Sequence, residues 1–172
     1  MTTLPLVILG SARPDGDTSR AVDIAFPPQS IDLITLAHHH IGGYDYAHAN
    51  AEDAFGAAAD AMHAADKIVF ATPVYWYAMS APLKIFFDRL TDLTETRKAI
   101  GKTLGGKQVW MIATGTEPEL PEGFEVPFAR TAGYFGMIYR GGAYLCTGND
   151  QMLRMQGETA LKRFGTTVVA HA

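Results

Sequence analysis

Residues 4–19 read Leu4-Pro5-Leu6-Val7-Ile8-Leu9-Gly10-Ser11-Ala12-Arg13-Pro14-Asp15-Gly16-Asp17-Thr18-Ser19, and this order decides the fold. Leu4 to Leu9 is a short continuous apolar run stopped by Gly10, the pattern of a strand buried on both faces. Small and polar residues follow, then Thr18 and Ser19, whose hydroxyls suit a helix cap. Pro27-Pro28 must end the helix that follows. A buried strand passing through a turn into a helix is the opening of a strand–helix–strand unit.

Working outward, the same alternation recurs. Ile31 to Leu36 is β-branched and partly alternating, a second strand, followed by a polar loop from His38 to Asn50. Phe55, Ala58, Ala59 and Met62 recur at helical spacing. Lys67 to Ala71 is a third strand closed by Thr72-Pro73, and Leu83, Phe86, Phe87, Leu90 and Leu93 form the next helical stripe. Gln108 to Ala113 is a fourth strand, Phe128, Ala132 and Phe135 mark another helix, and Met137 to Tyr144 holds a fifth strand despite Gly141-Gly142. Leu153, Leu161 and Phe164 suggest a closing helix. Strands alternating with helices predict an α/β fold with right-handed crossovers. The expectation is a three-layer sandwich around a five-stranded parallel sheet of order 2-1-3-4-5, one domain over residues 1–172.

Composition narrows the function. The formal net charge of −4 argues against nucleic acid as the main partner and gives no attraction to an anionic membrane surface. No stretch approaches the roughly 18 apolar residues of a membrane span, and the N-terminus shows no signal-peptide pattern. Cys146 is the single cysteine, which excludes an internal disulfide framework and multi-cysteine metal or cluster sites. A soluble, cytoplasmic protein is expected.

In such a sheet, ligands bind beyond the carboxyl ends of the strands, near the point where strand order reverses. The segment after strand 1 runs into a helix start, where free N–H groups and the helix dipole favour an anion. Ser11, Thr18 and Ser19 add hydroxyls and Arg13 a planar cationic fork. Ala12 and Asp15 stand where a dinucleotide fingerprint needs glycines. After strand 3, Tyr75-Trp76-Tyr77 places three aromatics on a loop from which they cannot all enter the core. A planar heteroaromatic ligand or a subunit interface explains them. Pro73 fixes the loop exit, Ser80 caps the next helix, and Pro82 lies near its first turn. After strand 4, Thr114-Gly115-Thr116 offers small polar groups facing the other two loops.

These segments resemble the flavodoxin-like NAD(P)H-dependent FMN reductase family. GSARPDGDTS (10–19) resembles its phosphate loop, ATPVYWYAMSAPLKIFFDRL (71–90) its most recognisable segment, and YDYAHAN (44–50) one of its branches. The resemblance implies FMN as cofactor. Ser11, Arg13, Thr18 and Ser19 would hold its phosphate, Pro73, Val74, Tyr75 and Trp76 would line its ring system, and Thr114, Gly115 and Thr116 would close the site. It implies hydride transfer from NADPH or NADH through FMN to a small acceptor: a quinone, a flavin, an azo or nitro compound, or a metal oxyanion. It also implies a homodimer or tetramer, with Trp76 and Tyr77 near a partner subunit. The cofactor carries such chemistry, so no acid–base side chain is required and none is named. Iron–sulfur flavoproteins share the layout but need a cysteine cluster that this chain lacks. The alternatives are a flavodoxin-type electron-transfer protein, for which −4 is a modest docking charge, and an aromatic-ligand module without flavin.

Other features have plainer readings. His38-His39-His40 reads as a solvated loop rather than a metal site, and His63 as a partly buried histidine on a helix face. Lys84, Asp88 and Arg89 have the spacing of surface ion pairs. Cys146 reads as a small core residue. Glu117 to Phe128, with three prolines and four glutamates, is either a solvated connector or a lid.

Overall fold

The computed structural model describes residues 4–171. Its elements are β1 (Leu6–Leu9), α1 (Asp17–Ala25), β2 (Asp32–Thr35), α2 (Phe55–Ala64), β3 (Lys67–Tyr75), β4 (Ala78–Met79), α3 (Ala81–Arg89), α4 (Lys98–Lys102), β5 (Gln108–Gly115), α5 (Val126–Tyr134), β6 (Ile138–Cys146) and α6 (Gln151–Ala170). The sheet runs β2-β1-β3-β5-β6 with every neighbouring pair parallel, and β4 folds back antiparallel on β3. The five parallel strands thus take the expected 2-1-3-4-5 order, with a short hairpin strand added. Among the described residues no helix is long and apolar enough to cross a membrane.

Successive strand residues point to opposite faces, and both faces are apolar. Leu6, Ile8, Ile68, Phe70, Val109 and Met111 pack on one side with Phe55 and Met62 of α2, Phe86 of α3 and Phe128 of α5. Val7, Leu9, Val69, Trp110 and Ile112 pack on the other with Val22 of α1 and Leu161 and Val168 of α6. Covering both faces is what makes the strands read as unbroken apolar runs rather than alternating ones. Full burial of one such side chain, Phe86 for example, stabilises the fold by about 1.5–3 kcal/mol.

The strand ends differ from the sequence reading in an instructive way. β3 does not stop at Thr72-Pro73 but continues to Tyr75. The carbonyl of Ala71 accepts from Gly10 N where β1 ends. Pro73, two residues on, faces the same side, beyond the last pair of β1 with β3, so the N–H it lacks removes no bond to β1. β5 likewise continues through Thr114 to Gly115, with Pro73 paired to Thr114. In β6, Gly141 adopts φ 96° and the register with β5 slips between Val109 and Met111, so the glycine pair forms a bulge within a continuing strand.

α1 begins at Asp17 after Gly16, and neither Thr18 nor Ser19 caps it, since both already lie inside the first turn. Ser80 does cap α3, its Oγ accepting from Leu83 N at 3.4 Å, with Pro82 in the first turn. His63 is exposed rather than partly buried, its Nδ1 sharing a 2.7 Å hydrogen bond with Thr103 Oγ1. One step of about 100° beyond Met62 carries it off the apolar face of α2. Cys146 is buried at the end of β6, and His38, His39 and His40 are exposed.

Candidate functional site

The carboxyl ends of β1, β3 and β5 open onto a cavity of about 290 Å³. Ser11, Arg13 and Thr18 line it from the first loop, Pro73, Val74 and Tyr75 from the end of β3, and Thr114, Gly115 and Thr116 from β5. Trp76 stands in a second, adjoining cavity, and Ser19 lies outside both walls. Gly16, Asp17 and Thr147 also line the first cavity, and sequence reasoning did not single them out for it. Gly16 was legible as the residue before a helix start. Thr147 follows the fifth strand, whose loop is the next one along this edge of the sheet.

Three links hold the loops together. The hydroxyls of Thr18 and Thr114 are hydrogen-bonded at 2.8 Å, 96 positions apart in sequence, both buried. Ser80 donates from Oγ to the carbonyl of Gly10 and from its backbone N–H to Thr72 Oγ1 at 3.0 Å, joining the first loop to the β3–β4 hairpin. Thr147 donates to the carbonyl of Gly115 from its backbone N–H at 2.7 Å and from its hydroxyl at 3.1 Å.

One end of the cavity suits an anion. The first three N–H groups of α1, those of Asp17, Thr18 and Ser19, have no hydrogen-bond partner among the described residues, and Gly16 offers no side chain to satisfy them. Arg13 is exposed beside them, and Ser11 Oγ accepts from Arg13 N at 3.2 Å, which shapes the turn. Nine residues of aligned peptide dipoles add partial positive charge at that point. The Asp17 carboxylate opposes this, but Arg20 lies 3.6 Å from it and offsets its charge. These donors fit the phosphate of a mononucleotide.

Beyond the other end, at the rim of the adjoining cavity, flat aromatic faces are presented. Trp76 and Tyr77 are the two central residues of the β3–β4 hairpin, whose closing pair is Tyr75–Ala78. Both have positive φ, 49° and 63°, a turn geometry that favours Asn-Gly. They are 93% and 69% exposed, so no contact within the chain accounts for them. The turn holds two large aromatic faces out at the rim at a conformational cost.

Away from this edge, Arg89 corrects the surface-pair reading. Lys84 and Asp88 do pair on the surface, but Arg89 is 2% exposed. Its Nη1 donates to Asp53 Oδ2 at 2.6 Å and to Gly42 O at 3.1 Å, its Nη2 to Asn50 O at 3.0 Å, and its Nε to Asp92 Oδ2 at 2.9 Å. The guanidinium also lies 4.8 Å from the Phe55 ring centroid. Burial alone would raise the pKa of Asp53. The hydrogen bonds from Arg89 and from the Phe55 and Gly42 N–H groups outweigh burial and hold the carboxyl below its usual value.

A family model described as NADPH-dependent FMN reductase matches residues 5–123. The Bacillus subtilis (strain 168) protein YwqN, which carries the name of an NAD(P)H-dependent FMN-containing oxidoreductase, is 30% identical over 78 residues. That match spans 43% of each chain, so this chain covers less than half the length of the curated relative. Among solved structures, the Trp repressor binding protein of Bacillus subtilis superposes with a TM-score of 0.71 at 21% identity, covering 98% of both chains. General stress protein 14 of Treponema denticola, in complex with FMN, gives 0.67 at 17% identity, covering 97% of this chain and 98% of that one. An FMN-dependent NADH-azoreductase of Bacillus anthracis, also in complex with FMN, gives 0.71 at 8% identity, covering 97% and 100%. At such identities the structural likenesses establish the fold, and the family model carries the further step. The chain belongs to the NADPH-dependent FMN reductase family.

Proposed function

We propose that the protein is an FMN-dependent oxidoreductase that takes hydride from NADPH or NADH and passes electrons to a small acceptor. One observation carries the reading: the loops after β1, β3 and β5 converge on a cavity lined by Arg13 beside unpartnered helix N–H groups and by Tyr75 from β3, and the exposed Trp76 and Tyr77 stand in a second cavity that adjoins it. FMN has that asymmetry, an anionic phosphate and a flat ring system. When bound, it supplies reversible hydride acceptance, chemistry no side chain provides.

The chain's own residues do the rest. Arg13, the first-turn N–H groups of α1 and the Ser11 hydroxyl hold the phosphate. Thr18 acts from behind, its hydroxyl tied to Thr114, and Ser19 contributes its backbone N–H. Pro73, Val74, Tyr75 and Trp76 line one side of the ring, and Thr114, Gly115 and Thr116 the other. The acceptor is a quinone, a flavin, an azo or nitro compound or a metal oxyanion. The 93% exposure of Trp76 in a strained turn supports a homodimer, or a tetramer, in which a partner subunit covers part of the rim. A cytoplasmic location accords with a lone buried cysteine.

The test is an absorption spectrum of the purified protein with and without added FMN, followed by anaerobic NADPH. Flavin bands that bleach on NADPH addition are expected. Bound flavin that ignores both nicotinamides would move the protein to the flavodoxin-type electron carriers. Failure to take up FMN would overturn the site.

A further inference from the structure

A second cavity, of about 200 Å³, adjoins the first at Gly115 and is walled by Trp76, Tyr77, Glu117, Pro121 and Tyr144. Resting on the reading of the first cavity as a flavin site, we propose that this second cavity seats the electron acceptor. We further propose that it selects an uncharged, planar aromatic compound bearing an acceptor oxygen, which the Tyr144 hydroxyl anchors, over anionic acceptors.

The shape follows from the walls. Two aromatic side chains on the hairpin and Pro121 opposite leave a slot that favours a flat apolar body. Tyr144 supplies the polar point. Its hydroxyl donates to the carbonyl of Glu117 at 2.8 Å, and it reaches there because residue 115 is glycine: a Cβ at Gly115 would lie 2.8 Å from the phenol oxygen. Glu117 is exposed, so water can satisfy its carbonyl when the hydroxyl rotates toward a ligand. Burial pushes the Tyr144 phenol up to about 12, so it remains a hydrogen-bond donor at working pH.

The charge selection comes from the loop that forms the outer wall. Residues 117–125 carry Glu117, Glu119, Glu122 and Glu125 and no lysine or arginine. No cation lines the second cavity among the described residues, whereas Arg13 lies in the first. Several like charges within a Debye length disfavour an anionic acceptor about tenfold at low ionic strength, and added salt screens the effect. Of the acceptor classes open to the protein, quinones and uncharged nitro compounds bear such an oxygen and fit this wall, and metal oxyanions do not.

The test uses redox-inert probes. Coumarin is flat, neutral and carries a carbonyl oxygen, and coumarin-3-carboxylate adds only the anion. Each is titrated calorimetrically against FMN-loaded protein. Coumarin is expected to bind about tenfold tighter at low salt, with the gap closing at high salt and in the E117Q/E119Q/E122Q variant. Tyr144→Phe is expected to weaken coumarin about fivefold to tenfold and to move naphthalene, which lacks the oxygen, less than twofold. Equal affinity for the two coumarins, or a Tyr144→Phe variant that binds coumarin unchanged, would overturn the proposal while FMN uptake stood. Failure of the protein to take up FMN is read separately by absorbance and would overturn both.

Discussion

Arg13 and Arg89 belong to one chain and sit in opposite circumstances. Arg89 is buried, makes four hydrogen bonds to two carboxylates and two carbonyls, and lies against an aromatic ring. Arg13 is exposed, and its side chain has no partner among the described residues. The segments around them follow suit. The 42–53 loop is stapled to α3 through Arg89, while the first turn of α1 leaves three N–H groups open beside Arg13. A polar network satisfied from within is there to hold the fold. Donors left open at the end of a rigid sheet, beside aromatics held out in a strained turn, are there to meet something else.

If that contrast is right, damage at Arg89 appears in stability. Replacing it with alanine leaves Asp53 and Asp92 buried without their counter-charge, which costs about 3–5 kcal/mol. Urea denaturation of apoprotein is the measurement, and a loss under about 1 kcal/mol would mean that the staple is dispensable. The acid limb reports on the same network with a smaller effect. The folded-state pKa of Asp53 is depressed, so its contribution is fully present above the unfolded value of 3.8 and is lost as pH falls through the lower folded value. Stability should therefore fall below about pH 4, and Asp53→Asn should flatten that part of the profile.

Arg13 is expected to behave in the reverse sense. Arg13→Ala removes charge-assisted hydrogen bonds to a phosphate, a loss of about 10–100-fold in FMN affinity by fluorescence titration. The apoprotein's denaturation midpoint should hardly move, as is usual for an exposed side chain with no internal partner. Riboflavin, which lacks the phosphate, should bind wild type and variant alike. A variant that loses riboflavin equally would show that Arg13 shapes the loop rather than meeting the phosphate.

The same contrast explains what could be read in the sequence. Strand order and the three loops were legible because doubly covered strands are continuous apolar runs and ligands collect at their carboxyl ends. Arg89 was misjudged because its partner Asp53 comes from an aperiodic loop 36 positions away. Yet it lies three residues after Phe86 and four before Leu93, within the apolar stripe of the helix and the turn after it. An arginine in a buried stripe needs a buried counter-charge, and that signal was available. The β3–β4 hairpin was invisible for a different reason. Its central residues are Trp76-Tyr77 where a tight two-residue turn calls for Asn-Gly, so local preference pointed away from the structure. Such conflicts between local preference and fold are expected at functional positions.

That conflict supplies the smallest and most diagnostic prediction. Giving the turn the residues it favours, Trp76→Asn with Tyr77→Gly, relieves two left-handed aromatic residues and should stabilise dilute apoprotein by about 1–2 kcal/mol. For a chain of this length that is a rise in Tm of a few degrees. The same variant should lose affinity for flat aromatic ligands, because the rim faces are gone. Stability gained as binding is lost would identify the strain as the cost of presenting those rings. A Tm that falls instead, by more as protein concentration rises, would show that a second copy of the chain rests on the turn and recovers the strain by burying Trp76. A Tm that falls independently of concentration would place the two aromatics with Arg89, among the residues that hold the fold.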